Sequence, residues 1–175
     1  MNKVSGSRDC FALLNESGST VTIGYDLQQV SATLYEWREV YLYRKQTPIV
    51  GFAEVKDAIL ADINHRTDEK ILSGFTWTPE GGDPIPVWLS TENEFNYKAA
   101  YDLAEQTEGA SLPVKFKLGE DEEGTPIYHT FTTLPEFRDF YTKAVAHIQQ
   151  TLQDGWQEKD SIDWTPYEAL FPTQE

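Results

Sequence analysis

The sequence predicts an α+β fold, with two or three helices packed on short antiparallel hairpins behind a strand-rich N-terminal segment. Three observations lead there. Some stretches alternate β-branched or aromatic residues with polar ones, as half-buried strands do, and others repeat apolar residues at spacings of three and four, as amphipathic helices do. The two kinds do not alternate in the regular βαβ order of a doubly wound sheet, and no internal repeat is visible.

Elements follow from the N-terminus. Residues 1–19 are rich in Ser, Gly and Asn and read as a flexible or partner-ordered arm, with only Phe11 to Leu14 able to pack. Thr20 to Tyr25 and Leu34 to Tyr43 read as two strands, as in a hairpin. Pro48 and Gly51 punctuate the chain before a helical pattern, in which Phe52, Val55, Ile59, Ile63 and Ile71 form the apolar stripe and a break is expected near His65 to Asp68. Phe75 to Trp77 and Val87 to Leu89 flank a Gly/Pro turn and read as a hairpin.

Thr91 and Glu94 have the spacing of a capping box, followed by the stripe Phe95, Ala99, Ala100, Leu103 and Ala104 in a helix that ends before Gly109. Pro113 to Leu118 and Ile127 to Phe131 alternate around an acidic tip, Glu120 to Glu123. Thr133 and Glu136 make a second capping box with Pro135 in the first turn. The stripe Phe137, Phe140, Tyr141, Ala144, Ile148, Leu152 and Trp156 then predicts the strongest helix of the chain. Trp164, Tyr167, Leu170 and Phe171, set among prolines, read as a tail that packs.

Composition narrows the function classes. The 175 residues suit a single domain, and an aromatic share of 13% supplies large apolar areas for its core. One cysteine, Cys10, rules out an intrachain disulfide; the absence of a long apolar run or an N-terminal apolar leader points to a chain made in a cytoplasm and not inserted in a membrane. The net charge of −15 repels nucleic acid. It is uneven: residues 1–51 hold five basic and five acidic side chains, leaving nine against 24 for the rest. The expected organisation is a neutral docking segment (1–51), an acidic α+β domain (52–164) and a C-terminal tail (165–175).

No catalytic, cofactor-binding or metal site is expected. His65, His129 and His147 lack ligand spacing, phosphate-binding and nucleophile-elbow motifs are missing, and the acidic tip lacks the ligand order of an EF-hand. The rings of Trp77, Trp88, Tyr97 and Tyr101 suggest a sugar platform, although such rings more commonly fill a core. Tyr35, Trp37, Tyr41, Tyr43, Trp77 and Trp88 are the candidate interface residues, because Trp and Tyr dominate binding hot spots.

Several blocks carry a family resemblance: Glu54 to Lys56, Ile71 to Trp77, Val87 to Tyr97, Val114 to Lys117, Tyr128 to Phe131, and Leu152 to Asp160. Together they resemble a domain of unknown function found in tail-region proteins of bacteriophages and prophages. The resemblance implies a virion protein of the tail fibres or tail accessory structures of tailed phages, of the kind infecting Bacteroidales. Its partners would be other tail proteins or copies of itself, without enzymatic activity. The alternatives are an acidic inhibitor that mimics nucleic acid against a host protein, and a module that binds or cleaves envelope glycan. The neutral segment is expected to dock, leaving a folded domain when residues 1–50 are removed.

Overall fold

The computed structural model describes residues 2–43 and 51–171. The expected punctuation at Pro48 lies outside them. The α+β class holds, but the chain forms two compact units: one runs to His65 and resumes at Trp156, and the other comprises residues 66–155. These divisions fall inside two helices, not at 51/52 and 164/165 as expected.

The first unit carries a four-stranded antiparallel sheet. Strands β1 (Asn2–Gly6), β2 (Asn15–Ser17), β3 (Thr20–Gln29) and β4 (Tyr35–Tyr43) lie in the order β1-β4-β3-β2. The expected β3–β4 hairpin is present. The residues before it are strands and a 3-10 turn at Arg8–Cys10, not an arm, because β1 finds a full partner in β4, from Asn2 opposite Glu39 to Gly6 opposite Tyr35. A bulge between Tyr25 and Gln28 places Asp26 at φ 54, a conformation that a short polar side chain tolerates. The Gln28 amide donates to Asp26 at 2.9 Å.

One face of this sheet, bearing Val21, Ile23, Tyr25, Val40 and Leu42, packs on helix α1 (Phe52–Leu72) through Val55, Ile59 and Ile63. Helix α4 (Thr165–Glu168) closes the same core with Tyr167, whose hydroxyl donates to the Gly24 carbonyl at 2.8 Å. Tyr25 donates to the buried carboxylate of Asp62 on α1. Gly24 is indispensable sterically: a Cβ there would stand 2.3 Å from the Ala12 carbonyl oxygen. Removing residues 1–50 strips the cover from Val55, Ile59 and Ile63, so these residues are half of a core and not a detachable docking segment.

Helix α1 runs through His65 to Asp68 without the expected break. No Gly or Pro interrupts it before Gly74, whose φ of 76 ends the turn. The second unit holds two hairpins, β5 (Phe75–Trp77) with β6 (Ile85–Val87) and β7 (Val114–Glu120) with β8 (Pro126–Phe131). They are joined where the Trp88 N–H donates to the Leu118 carbonyl at 2.8 Å. Helices α2 (Thr91–Gln106) and α3 (Leu134–Asp160) complete it, and Trp77, Leu89, Tyr97, Leu118, Phe131, Phe137 and Phe140 form its core.

Three local expectations are corrected. The cap of α2 is Ser90, whose hydroxyl accepts from the Asn93 N–H at 3.3 Å, one residue before the expected box. On α2, Phe95, Ala99 and Leu103 face solvent; the core side is Tyr97, Ala100, Tyr101 and Ala104. On α3 the buried line passes from Ala144 and Ile148 to Thr151 and Gly155, keeping the helix's period of about 3.6 residues, while Trp156 is 55% exposed. Gly155 permits this, since a Cβ would meet the Thr67 hydroxyl at 2.4 Å.

Two outcomes are expected. Ile59→Ala removes a wholly buried side chain at the centre of the first core and costs about 2–5 kcal/mol in denaturant unfolding. Burial pushes the Tyr97 and Tyr167 hydroxyls up from 10.0 to about 12. Their contribution to stability is therefore complete below pH 10 and is lost as pH rises toward 12, which alkaline unfolding measures. Tyr167→Phe removes its share of that slope.

Candidate interaction surface

The six aromatic candidates separate by strand geometry. Along β4, Tyr35, Trp37, Glu39, Tyr41 and Tyr43 point to the sheet face opposite α1, and the register puts Thr22 beside Tyr41 and Thr20 beside Tyr43. One end of that face is closed. Trp37 is buried there, edge-on to Phe11 at 6.0 Å and pressed against Gly6, where an added Cβ would stand 3.1 Å from the indole.

The other end is open. Tyr43 is 82% exposed and Tyr41 37%. Glu39 joins the two ends, accepting from the Trp37 indole N–H at 2.9 Å and from the Tyr41 hydroxyl at 2.6 Å. A ring held by its hydroxyl loses little further entropy when a partner covers it. Tyr35 is half-buried at the start of the strand. The adjoining edge strand β1 carries Lys3, which pairs with Glu36, a charge that discourages indiscriminate strand addition.

Trp77 and Trp88 lie in the other unit and do not join this patch. Trp77 is buried, edge-on to His129 at 4.9 Å and to Phe140 at 5.2 Å. It is a core residue, as is Tyr97, so the four-ring sugar platform does not form. Trp88 remains 38% exposed, with the Lys117 ammonium 5.0 Å from its ring centre. The structure thus leaves Tyr35, Tyr41, Tyr43 and Trp88 accessible in part and withdraws Trp37 and Trp77 from any interface.

Three concavities bring polar or titratable side chains together. One of about 540 Å³ in the second unit is lined by Trp77, Glu136, Asp139 and Lys143 with Thr132 and Thr133. Asp139 accepts from Lys143 at 2.8 Å and from the Trp77 indole at 3.0 Å, and these two bonds hold its carboxyl below the usual range. Glu136 is bonded to His129 at 2.9 Å and accepts from the Thr132 N–H, so it serves to hold β8 to the start of α3. A carboxylate held ionised by two donors is a poor general acid.

A second concavity, of about 310 Å³ between α2 and α3, is apolar; burial raises its one carboxyl, Glu94. A third, of about 460 Å³ in the first unit, lies among Arg8, Asp26, Glu158, Asp163 and Tyr167. Among the described residues no three His, Cys, Asp or Glu side chains are placed to share a metal ion, and no helix is long and apolar enough to cross a membrane. At the acidic tip, Asp121 instead accepts from the N–H groups of Glu123 and Thr125, which lower its pKa.

Trp77→Phe tests the structural assignment of that indole. It removes one donor from Asp139, so the carboxyl moves up toward the ordinary carboxylate range in an NMR titration, and the lost bond costs no more than about 1 kcal/mol in unfolding because water reaches the half-exposed carboxylate.

No curated protein and no solved structure matches the chain. The model of a family described as a domain of unknown function, DUF4376, matches residues 54–173, from the first turn of α1 past α4. Strands β1 to β4 lie outside the matched residues. With more than half of its length matched, the chain belongs to the DUF4376 family.

Proposed function

We propose that this chain is a structural or adaptor protein of the tail region of a tailed phage, of the Bacteroidales-infecting kind, acting by protein contact and not by catalysis. The resemblance of its sequence blocks to tail-region proteins supplies the setting. The observation that carries the contact reading is the tyrosine patch on the N-terminal sheet, where Tyr43 is 82% exposed beside a Tyr41 fixed by Glu39. Tyrosine presents a large flat surface with a polar tip at small entropic cost, as interface anchors do.

Charge favours the same face. Residues 1–51 carry no net charge, whereas the remaining residues carry all fifteen excess negative charges. The segment that carries the sheet therefore meets a neighbouring tail protein with less repulsion than the rest of the chain imposes on acidic surfaces. The same excess of acid favours a second reading, a decoy for a nucleic-acid-binding host protein. In this reading, binding falls steeply with salt.

Mass spectrometry of purified virions from the phage that encodes the chain distinguishes them. Several copies per particle are expected, and Tyr43→Asp, which leaves the fold intact because the side chain is exposed, is expected to reduce incorporation at least severalfold. Absence from virions together with expression in infected cells overturns the tail assignment and favours the decoy.

A further inference from the structure

Helix α2 turns an apolar stripe outward. Phe95, Ala99 and Leu103 follow one another by fours and all three are exposed, Phe95 to 69% and Leu103 to 51%. The stripe has a symmetry: a small residue at its centre and a large one at each end. At about 100° per residue, Glu92 and Gln106 extend the same face at its two ends. Lys98 and Asp102 share one flank, joined as an i,i+4 pair at 2.6 Å.

Such a face is complementary to itself when reversed. In an antiparallel pairing about a two-fold axis through Ala99, Phe95 lies beside Leu103 of the second copy, and the small alanine lets the helices approach. Two positions along the helix, about 3 Å, then separate Lys98 from Asp102 of the second copy, and Asp102 from the second Lys98, within reach of the long lysine side chain. Glu92 meets the neutral Gln106. A parallel pairing sets Phe95 against Phe95, and the flank bearing Lys98 meets a flank carrying Asn96 and Ala100, where no carboxylate answers it.

We propose that the chain self-associates through α2, two copies meeting antiparallel along Phe95, Ala99 and Leu103, with Lys98 and Asp102 exchanging partners across the axis. Three side chains along one helix face bury less than the roughly 800 Å² per partner of a standard-size stable interface, so the dimer is weak and reversible. Each copy brings a charge of −15, and the association strengthens as salt screens that repulsion. This surface belongs to the acidic unit and is independent of the tail assignment, which stands or falls on virion content.

Sedimentation equilibrium of the whole protein at about 10 μM to 1 mM, in low and moderate salt, tests it. A monomer–dimer equilibrium that tightens with salt is expected. Leu103→Asp should weaken it about tenfold or more, by loss of a buried leucine contact, with an unchanged circular dichroism spectrum. Lys98→Glu should weaken it, and adding Asp102→Lys to that variant should restore it. A chain that stays monomeric at the highest concentration in both salts, or a dimer indifferent to Leu103→Asp, or a double variant weaker than Lys98→Glu alone, overturns the proposal.

Discussion

Val55, Ile59 and Ile63 are wholly buried on one side of α1, and the first unit exists to bury them. A helix alone cannot hide such a line, and stability in water comes from the packing of that side more than from helix propensity. Here the cover is drawn from distant parts of the chain: a sheet from residues before position 44, and Tyr167 from beyond α3. The polar groups that enter with this cover are paired, Tyr25 to Asp62 and Tyr167 to the Gly24 carbonyl. Once the sheet is committed to α1 through one face, its other face and its two edges remain to meet anything else. The exposed tyrosines stand on that other face.

The second unit solves the same problem with rings. Phe131 stacks on Phe137 at 4.5 Å, Phe140 lies tilted against Phe131 at 4.9 Å, and Trp77 and Tyr97 meet Phe140 edge-on. At the periphery the polar residues are used as fasteners: Arg138 clasps Glu105 through two bonds of 2.9 Å, and Tyr101 stacks on Tyr141. Side chains so engaged hold the helix surfaces around them in shape. The apolar line on α2 is the exception, since no core residue needs it.

Much of this was legible from periodicity. The β3–β4 hairpin, both hairpins of the second unit and the three long helices follow from alternation and stripes, and the resemblance begins at residue 54, where the family match also begins. The misses have particular causes. Residues 2–6 look like an arm because a strand with one exposed edge needs little apolar content when a partner supplies the hydrogen bonds. Trp156 looks buried because a spacing of four is helical over one turn and drifts off the face over three. Trp37 and Trp77 were indistinguishable from interface anchors in sequence; what hides them is Phe11 and Gly6 in one case and His129, Phe131 and Phe140 in the other.

The first unit is discontinuous, interrupted by the 90 residues of the second. A ribosome adding roughly 5–20 residues per second delivers the sheet and the first half of α1, then takes roughly 5–20 s to make the intervening residues before Tyr167 can emerge. During that interval the nascent sheet and α1 lack the aromatic ring and the hydroxyl that complete their core. The second unit, contiguous in sequence, is free to form meanwhile. The order of synthesis and the order of completion are thus inverted: the part translated first is finished last, and α3 is the strand of chain that carries the closing piece back to it.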